Sequence, residues 1–153
     1  MAECGEKWVI IMFMGEYQHN IDTKGRIIIP AKFREELGDN MVVTKGLDGC
    51  LALYTMSQWE QVVENLRKLP STKREARIYT HMIMSKAAEC DVDNQGRIRI
   101  PLHLTSDANI EKHCVVVGVN DHVEIWDQDK WRNYYDMASE NFEDIAESLT
   151  EFF

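Results

Sequence analysis

The chain contains the same segment twice. Asp22-Thr23-Lys24-Gly25-Arg26-Ile27-Ile28-Ile29-Pro30 returns as Asp93-Asn94-Gln95-Gly96-Arg97-Ile98-Arg99-Ile100-Pro101 at an offset of 71 residues, with Asp, Gly, Arg, two Ile and Pro in common. A second block follows at an offset of 72: Gly46 to Tyr54, with Trp59 beyond it, matches Gly118 to Trp126 with Trp131. Two blocks in one order and at nearly one spacing define a duplicated unit. Each copy is then one small supersecondary module.

Within each copy the pattern is strand, short helix, hairpin, helix. Gly25 and Gly96 follow polar residues and mark tight turns, because glycine reaches positive φ without strain. Arg26-Ile27-Ile28-Ile29 and Arg97-Ile98-Arg99-Ile100 read as β-branched strands ended by Pro30 and Pro101. Alternation puts Ile98 and Ile100 on one face and Arg97 and Arg99 on the other. Ala31 to Leu37 reads as one or two helical turns stopped at Gly38. Met41 to Thr44 and Leu51 to Tyr54 form a hairpin, repeated by Val115 to Val119 and Val123 to Trp126.

Helices close both units. Thr55 with Gln58 fits a capping box, followed by Trp59, Val62, Val63, Leu66 and Leu69 at helical spacing, and Pro70 ends the run. Thr72 with Glu75 is expected to open a linking helix to about Met84, burying Ala76, Tyr79 and Ile83. Asp127 is expected to cap one longer helix whose stripe is Trp131, Tyr135, Ala138, Phe142, Ile145 and Leu149. Its end, Phe142 to Phe153, either docks on a neighbouring subunit or frays. The resulting division is 1–13, an N-terminal extension or edge strand; 14–70, first repeat; 71–84, linking helix; 85–141, second repeat; 142–153, acidic tail. Met1, Met12 and Met14 are all candidate translation starts.

Charge and composition narrow the function. The net charge is −9, of which −6 falls on residues 136–153, where there is no Lys or Arg. The other 135 residues carry −3, which leaves room for a local basic face. Cys4, Cys50, Cys90 and Cys114 form no C-x-x-C pair, and the five histidines show no metal-binding spacing. We expect packing or surface roles for all nine, and no metal or cofactor. The separated cysteines fit reduced thiols in a cytoplasmic protein. No apolar run of 18 residues exists, so no membrane partner is expected. Nucleophile elbows and phosphate-cradling loops are also absent, so no catalytic residue and no enzyme activity are expected.

The doubled Asp-x-x-x-Arg element opening an Ile-Pro strand resembles the MraZ family. Met14-Gly15-Glu16-Tyr17, followed by Asp22 to Arg34, is similar to that family's opening segment, and the likeness extends from Met12 to about Asn141. The resemblance implies an α+β fold: two tandem AbrB/SpoVT-like swapped-hairpin modules forming a pseudo-dimeric small barrel with peripheral helices. It also implies a cytoplasmic, nucleoid-associated transcription regulator. The implied partners are double-stranded DNA carrying direct repeats, upstream of the cell-division and cell-wall gene cluster, and further copies of the chain in a ring-shaped homo-oligomer.

The residues give this reading a chemistry. Arg26, Arg97, Lys24, Arg99, Lys32 and Arg34 are the expected DNA-binding residues, since β-ribbons enter grooves and arginine forks onto guanine or phosphate. The second copy has Gln95 where the first has Lys24. Asp22, Gly25, Asp93 and Gly96 are expected to be structural: each aspartate either fixes its turn through backbone N–H groups or pairs with the arginine four residues on. The basic cluster Lys73, Arg74 and Arg77 reads first as a solvated helix face, with contact to DNA or to an acidic tail as the alternatives. The competing function is an antitoxin or protein-binding module of the same superfamily, acting through the acidic C-terminal helix as a helix in a groove.

Overall fold

The computed structural model describes residues 12–153. In chain order the elements are β1 (Phe13–Asn20), β2 (Arg26–Ile28), α1 (Ala31–Leu37), β3 (Asn40–Lys45), β4 (Leu51–Thr55), α2 (Met56–Arg67), α3 (Arg74–Lys86), β5 (Ala88–Asp91), β6 (Arg97–Arg99), α4 (Leu102–Asp107), β7 (His113–Asn120), β8 (His122–Asp127), α5 (Gln128–Ser139) and α6 (Phe142–Ser148). A single 3₁₀ turn, Leu47–Gly49, joins β3 to β4, and another, Thr150–Phe152, follows α6.

The strands form a six-stranded antiparallel sheet in the order β1-β7-β8-β4-β3-β5 and a separate two-stranded ribbon, β2-β6. The order shows that the two copies exchange strands. The first strand of copy one pairs along its whole length with β7 of copy two, from Phe13 opposite Asn120 to Asn20 opposite His113. The matching strand of copy two, β5, pairs with β3 of copy one. Neither copy therefore completes its own sheet, which is the swapped-hairpin arrangement. Where a small barrel was expected, the described strands form a sheet and a ribbon over one core, joined at a corner by the bridge between Ile21 and Ile27.

One apolar core lies between ribbon and sheet. Ile27, Ile29, Ile98 and Ile100 of the ribbon segments meet Met41, Val43, Leu51, Leu53, Val116, Val123 and Ile125 of the sheet, with Phe13 and Phe33 at one side. Phe33 takes Phe13 and Tyr17 edge-on, at ring-centroid distances of 5.7 and 5.2 Å. The opposite sheet face, with Cys50, Val115, Val117 and Trp126, is covered by Trp131 of α5.

Several helix signals act as expected. Thr55 Oγ1 accepts from Gln58 N–H at 2.9 Å, Asp127 accepts from Lys130 N–H at 3.1 Å, and Gly38 stops α1 with φ of 83°. Three expectations are corrected. The linking helix starts at Arg74, with Lys73 before it and no side-chain cap, so Thr72 lies outside it. Of its stripe Ile83 is buried but Tyr79 is exposed, because this face meets the sheet only near β3, where Thr44 donates to Ile83 C=O. The long C-terminal helix is two helices, interrupted at Glu140 and Asn141, and Phe142, Ile145 and Leu149 are exposed. The expected N-terminal extension lies largely outside the described residues; Phe13, its last member, is a core residue of β1.

Candidate nucleic-acid interface

The β2-β6 ribbon pairs Arg26 with Arg99, Ile27 with Ile98 and Ile28 with Arg97. Directly opposed residues share a face, and faces alternate along a strand. The central pair, Ile27 and Ile98, is buried, so the remaining four side chains stand on the outer face: Arg26, Arg99, Arg97 and Ile28. Three guanidinium groups are thereby gathered on one short ribbon, although Arg26 and Arg97 lie 71 residues apart in sequence.

Both turns are built alike. Asp22 accepts from the backbone N–H groups of Lys24 and Arg26, each at 2.9 Å, and from Arg26 Nε at 2.7 Å. Asp93 repeats this with Gln95 N–H at 2.8 Å, Arg97 N–H at 2.9 Å and Arg97 Nε at 2.9 Å. The two roles considered for these aspartates are thus performed at once. The Arg26 N–H holds the Asp22 carboxyl below the ordinary carboxylate range, and Arg97 N–H does the same for Asp93. Each carboxylate spends itself on its own turn, and each arginine is gripped through Nε. Among the described residues, neither arginine uses its terminal Nη groups in a hydrogen bond. That leaves a pre-oriented fork, suited to two parallel bonds with an acceptor pair.

The turn glycines are required by geometry. Gly25 and Gly96 have φ of 81° and 76°. A Cβ on Gly25 would stand 2.5 Å from the Ile100 carbonyl oxygen, which accompanies the cross-ribbon bond from Ile100 N–H to Gly25 C=O at 2.8 Å. On Gly96 a Cβ would collide with the Arg34 guanidinium.

The two ends of the ribbon differ. Lys24, Arg26 and Arg99 meet at one end, where Arg99 Nε donates to Lys24 C=O at 3.1 Å. Gln95, Arg97 and Ile28 occupy the other. A cleft of about 320 Å³ lies beside the first end, lined by Asp22 to Gly25, Arg99 to Leu102, Thr105, Ile110 and Glu111. At the second end Arg34 reaches onto the Gly96 turn. Thr105 stands where Arg34 falls in the repeat, and is too short to fill the equivalent space. Lys32 is exposed on α1.

His122, expected from the sequence to have no more than a packing or surface role, is a titratable group held by two carboxylates. Its ring nitrogens lie 2.8 Å from Asp121 Oδ1 and 3.0 Å from Glu124 Oε2, while Tyr54 packs at 5.3 Å. Burial alone would lower its pKa, but the bonds to Glu124 and Asp121 outweigh burial and hold it above the ordinary histidine value. The H-x-E spacing on a strand, which puts both side chains on one face, was the available signal. Cys50, Cys90 and Cys114 are buried free thiols, with burial pushing them up to about 12, 11 and 11. Cys4 lies outside the described residues.

A duplicated swapped-hairpin chain with an arginine-bearing outer ribbon defines a class of small α+β proteins, and comparison supplies the family. The model described as "MraZ protein, putative antitoxin-like" matches residues 12–81 and again 83–153. A curated relative from Ligilactobacillus salivarius (strain UCC118), "Transcriptional regulator MraZ", is 54% identical over 141 residues, 92% of this chain and 99% of that protein. The chain belongs to the MraZ family, and its class is that of a transcription regulator. No helix among the described residues is long and apolar enough to cross a membrane.

Proposed function

We propose that the chain regulates transcription by binding double-stranded DNA through the outer face of the β2-β6 ribbon, on direct repeats upstream of the cell-division and cell-wall gene cluster. Arg26, Arg97 and Arg99 read or clamp the duplex, Lys24 and Lys32 add phosphate attraction, and Asp22, Gly25, Asp93 and Gly96 hold the turns. Arg34 belongs to this set only indirectly, since its packing on the Gly96 turn favours a supporting role. The observation that carries the reading is the gathering of three arginines on one face, two of them gripped at Nε by aspartates that each accept three hydrogen bonds within their own turn. In an acidic protein such a focused patch is the natural place for a polyanion. A protein of this kind works in the cytoplasm at the nucleoid.

Few cations per chain make single-site binding weak. Exposed Tyr135, Met137, Phe142 and Phe152 on the C-terminal helices support assembly with further copies, in a ring that engages several repeats at once. Linked sites raise avidity by on the order of 10²–10⁴ without new contacts. The repeat boundaries that go with this reading are 14–70 and 85–141, joined by 71–84.

The test is DNA binding across a salt series, comparing the parent with Arg26→Ala and Arg97→Ala on repeat-bearing duplex. Weakened binding by both variants is expected; parent-like binding by both refutes the assignment. The same exposed apolar C-terminal surface favours a second reading, a protein-binding module using the acidic helix. Deleting residues 142–153 separates the two: loss of a protein partner with DNA binding intact supports the second.

A further inference from the structure

Ile28 is the odd side chain on the cationic face. It is 44% exposed, follows Arg26 by two residues on the same face, and lies directly opposite Arg97. The equivalent position in the second copy is Arg99, so the pseudo-two-fold ribbon carries arginine at one of these two places and isoleucine at the other. The neighbouring ribbon isoleucines, Ile27, Ile29, Ile98 and Ile100, are all buried; Ile28 alone is turned outward. An apolar β-branched group held in water among guanidiniums gains nothing for the core. It gains on a surface that offers both acceptors for arginine and an apolar spot beside them.

The DNA major groove offers that combination. Guanine presents O6 and N7 to an arginine fork, and thymine presents its C5-methyl group. We propose that Ile28 is a specificity-determining residue that reads a thymine C5-methyl group next to the base or phosphate held by Arg97. This rests on the ribbon being the DNA-binding face, and it deepens that reading. A consequence is polarity: with Arg99 at one end and Ile28 at the other, the ribbon distinguishes the two directions along the duplex although its backbone is nearly two-fold symmetric. One chain then recognises a non-palindromic element.

The experiment is a thymine-to-deoxyuridine scan of a duplex taken from upstream of the chain's own gene. Deoxyuridine keeps Watson–Crick pairing and removes only the methyl group. Binding by the parent and by Ile28→Ala is measured at fixed salt, with a scrambled duplex as control; Ile28 is exposed, and circular dichroism checks that the variant is folded. Removing one methyl at the recognised position should weaken the parent about fourfold per engaged chain, the transfer value of one buried methylene. The same replacement should leave Ile28→Ala unaffected. If every replacement is neutral for the parent, or the damaging one harms Ile28→Ala equally, Ile28 reads no methyl and the inference falls, while preference for the native duplex keeps the ribbon assignment standing. If the parent shows no preference over scrambled DNA, or Arg26→Ala and Arg97→Ala bind as it does, the ribbon assignment falls and takes this inference with it.

Discussion

The two ends of the β2-β6 ribbon share a backbone and differ in what they present. At one end Lys24, Arg26 and Arg99 converge beside an open cleft; at the other Arg97 stands with Gln95 and Ile28, and Arg34 packs against the turn. Both aspartate-arginine grips are preserved, so the copies share the turn and the outward arginine it holds, Arg26 or Arg97, and differ at the outward positions beside it. The difference separates what the ribbon needs in order to fold from what it presents to solvent. Asp, Gly, the inward Ile and Pro are common to both copies because each copy builds the same turn and buries the same face of its ribbon strand. Lys24 against Gln95, and Ile28 against Arg99, are free to differ because they touch solvent or a partner.

That comparison is open to measurement. The largest effect should come from removing the crowded end: Arg26→Ala with Arg99→Ala is expected to weaken DNA binding about a hundredfold or more, and Arg97→Ala alone about tenfold, at about 1–3 kcal/mol per arginine contact. Titration by fluorescence anisotropy checks the ratio, and equal losses would remove the lopsidedness. Next are the glycines. Gly25→Ala places a methyl against a backbone oxygen and should destabilise by about 3 kcal/mol, whereas Gly96→Ala displaces a flexible guanidinium and should cost about 1–2 kcal/mol. Thermal unfolding of both variants decides this; the reverse order would show that Arg34 is fixed rather than yielding.

Arg34→Ala should be smaller still. It empties the space beside Gly96 and is expected to lower stability by about 1 kcal/mol with little change in DNA affinity, as unfolding and binding assays on one sample would show. The smallest effect concerns pH. His122 has a folded pKa raised above the ordinary 6.5, so its contribution is fully present below that value and is lost as pH rises through the folded value. Its counterpart in the first copy is Cys50, pushed up to about 12 and silent over this range. As pH rises from about 6 through the folded pKa the parent should lose Tm, and His122→Asn should show a flatter profile in thermal melts.

Much of the fold was legible in the residues because the signals were local. The turn glycines, the Ile-Pro strands, the hairpins and the caps at Thr55 and Asp127 all state their own conformation. Strand exchange was visible only through the resemblance: nothing in Phe13 to Asn20 names β7 as its partner, and both β1 and β5 lack β-branched runs, as Glu16-Tyr17-Gln18 and Ala88-Glu89-Cys90 illustrate. Thr72 is not the cap: Pro70 C=O closes a turn with Lys73 N–H at 3.1 Å, and the helix begins after that turn with Lys73 at its N-cap position. At the interface Arg26, Arg97 and Arg99 were identifiable as types of residue. Their convergence, the outward turn of Ile28 and the reach of Arg34 onto Gly96 depend on which strand opposes which, and that is a property of the assembled pair of copies.

The most direct test of a DNA-binding ribbon with one dominant end is the salt slope. Log affinity for repeat-bearing duplex is measured against log salt concentration for the parent, for Lys24→Ala with Arg99→Ala, and for Gln95→Ala at the other end. Each phosphate contact removed should lower the slope by roughly 0.9 per engaged chain, so the double variant is expected to show a clearly shallower line and Gln95→Ala the parent's. Three parallel lines would contradict the account.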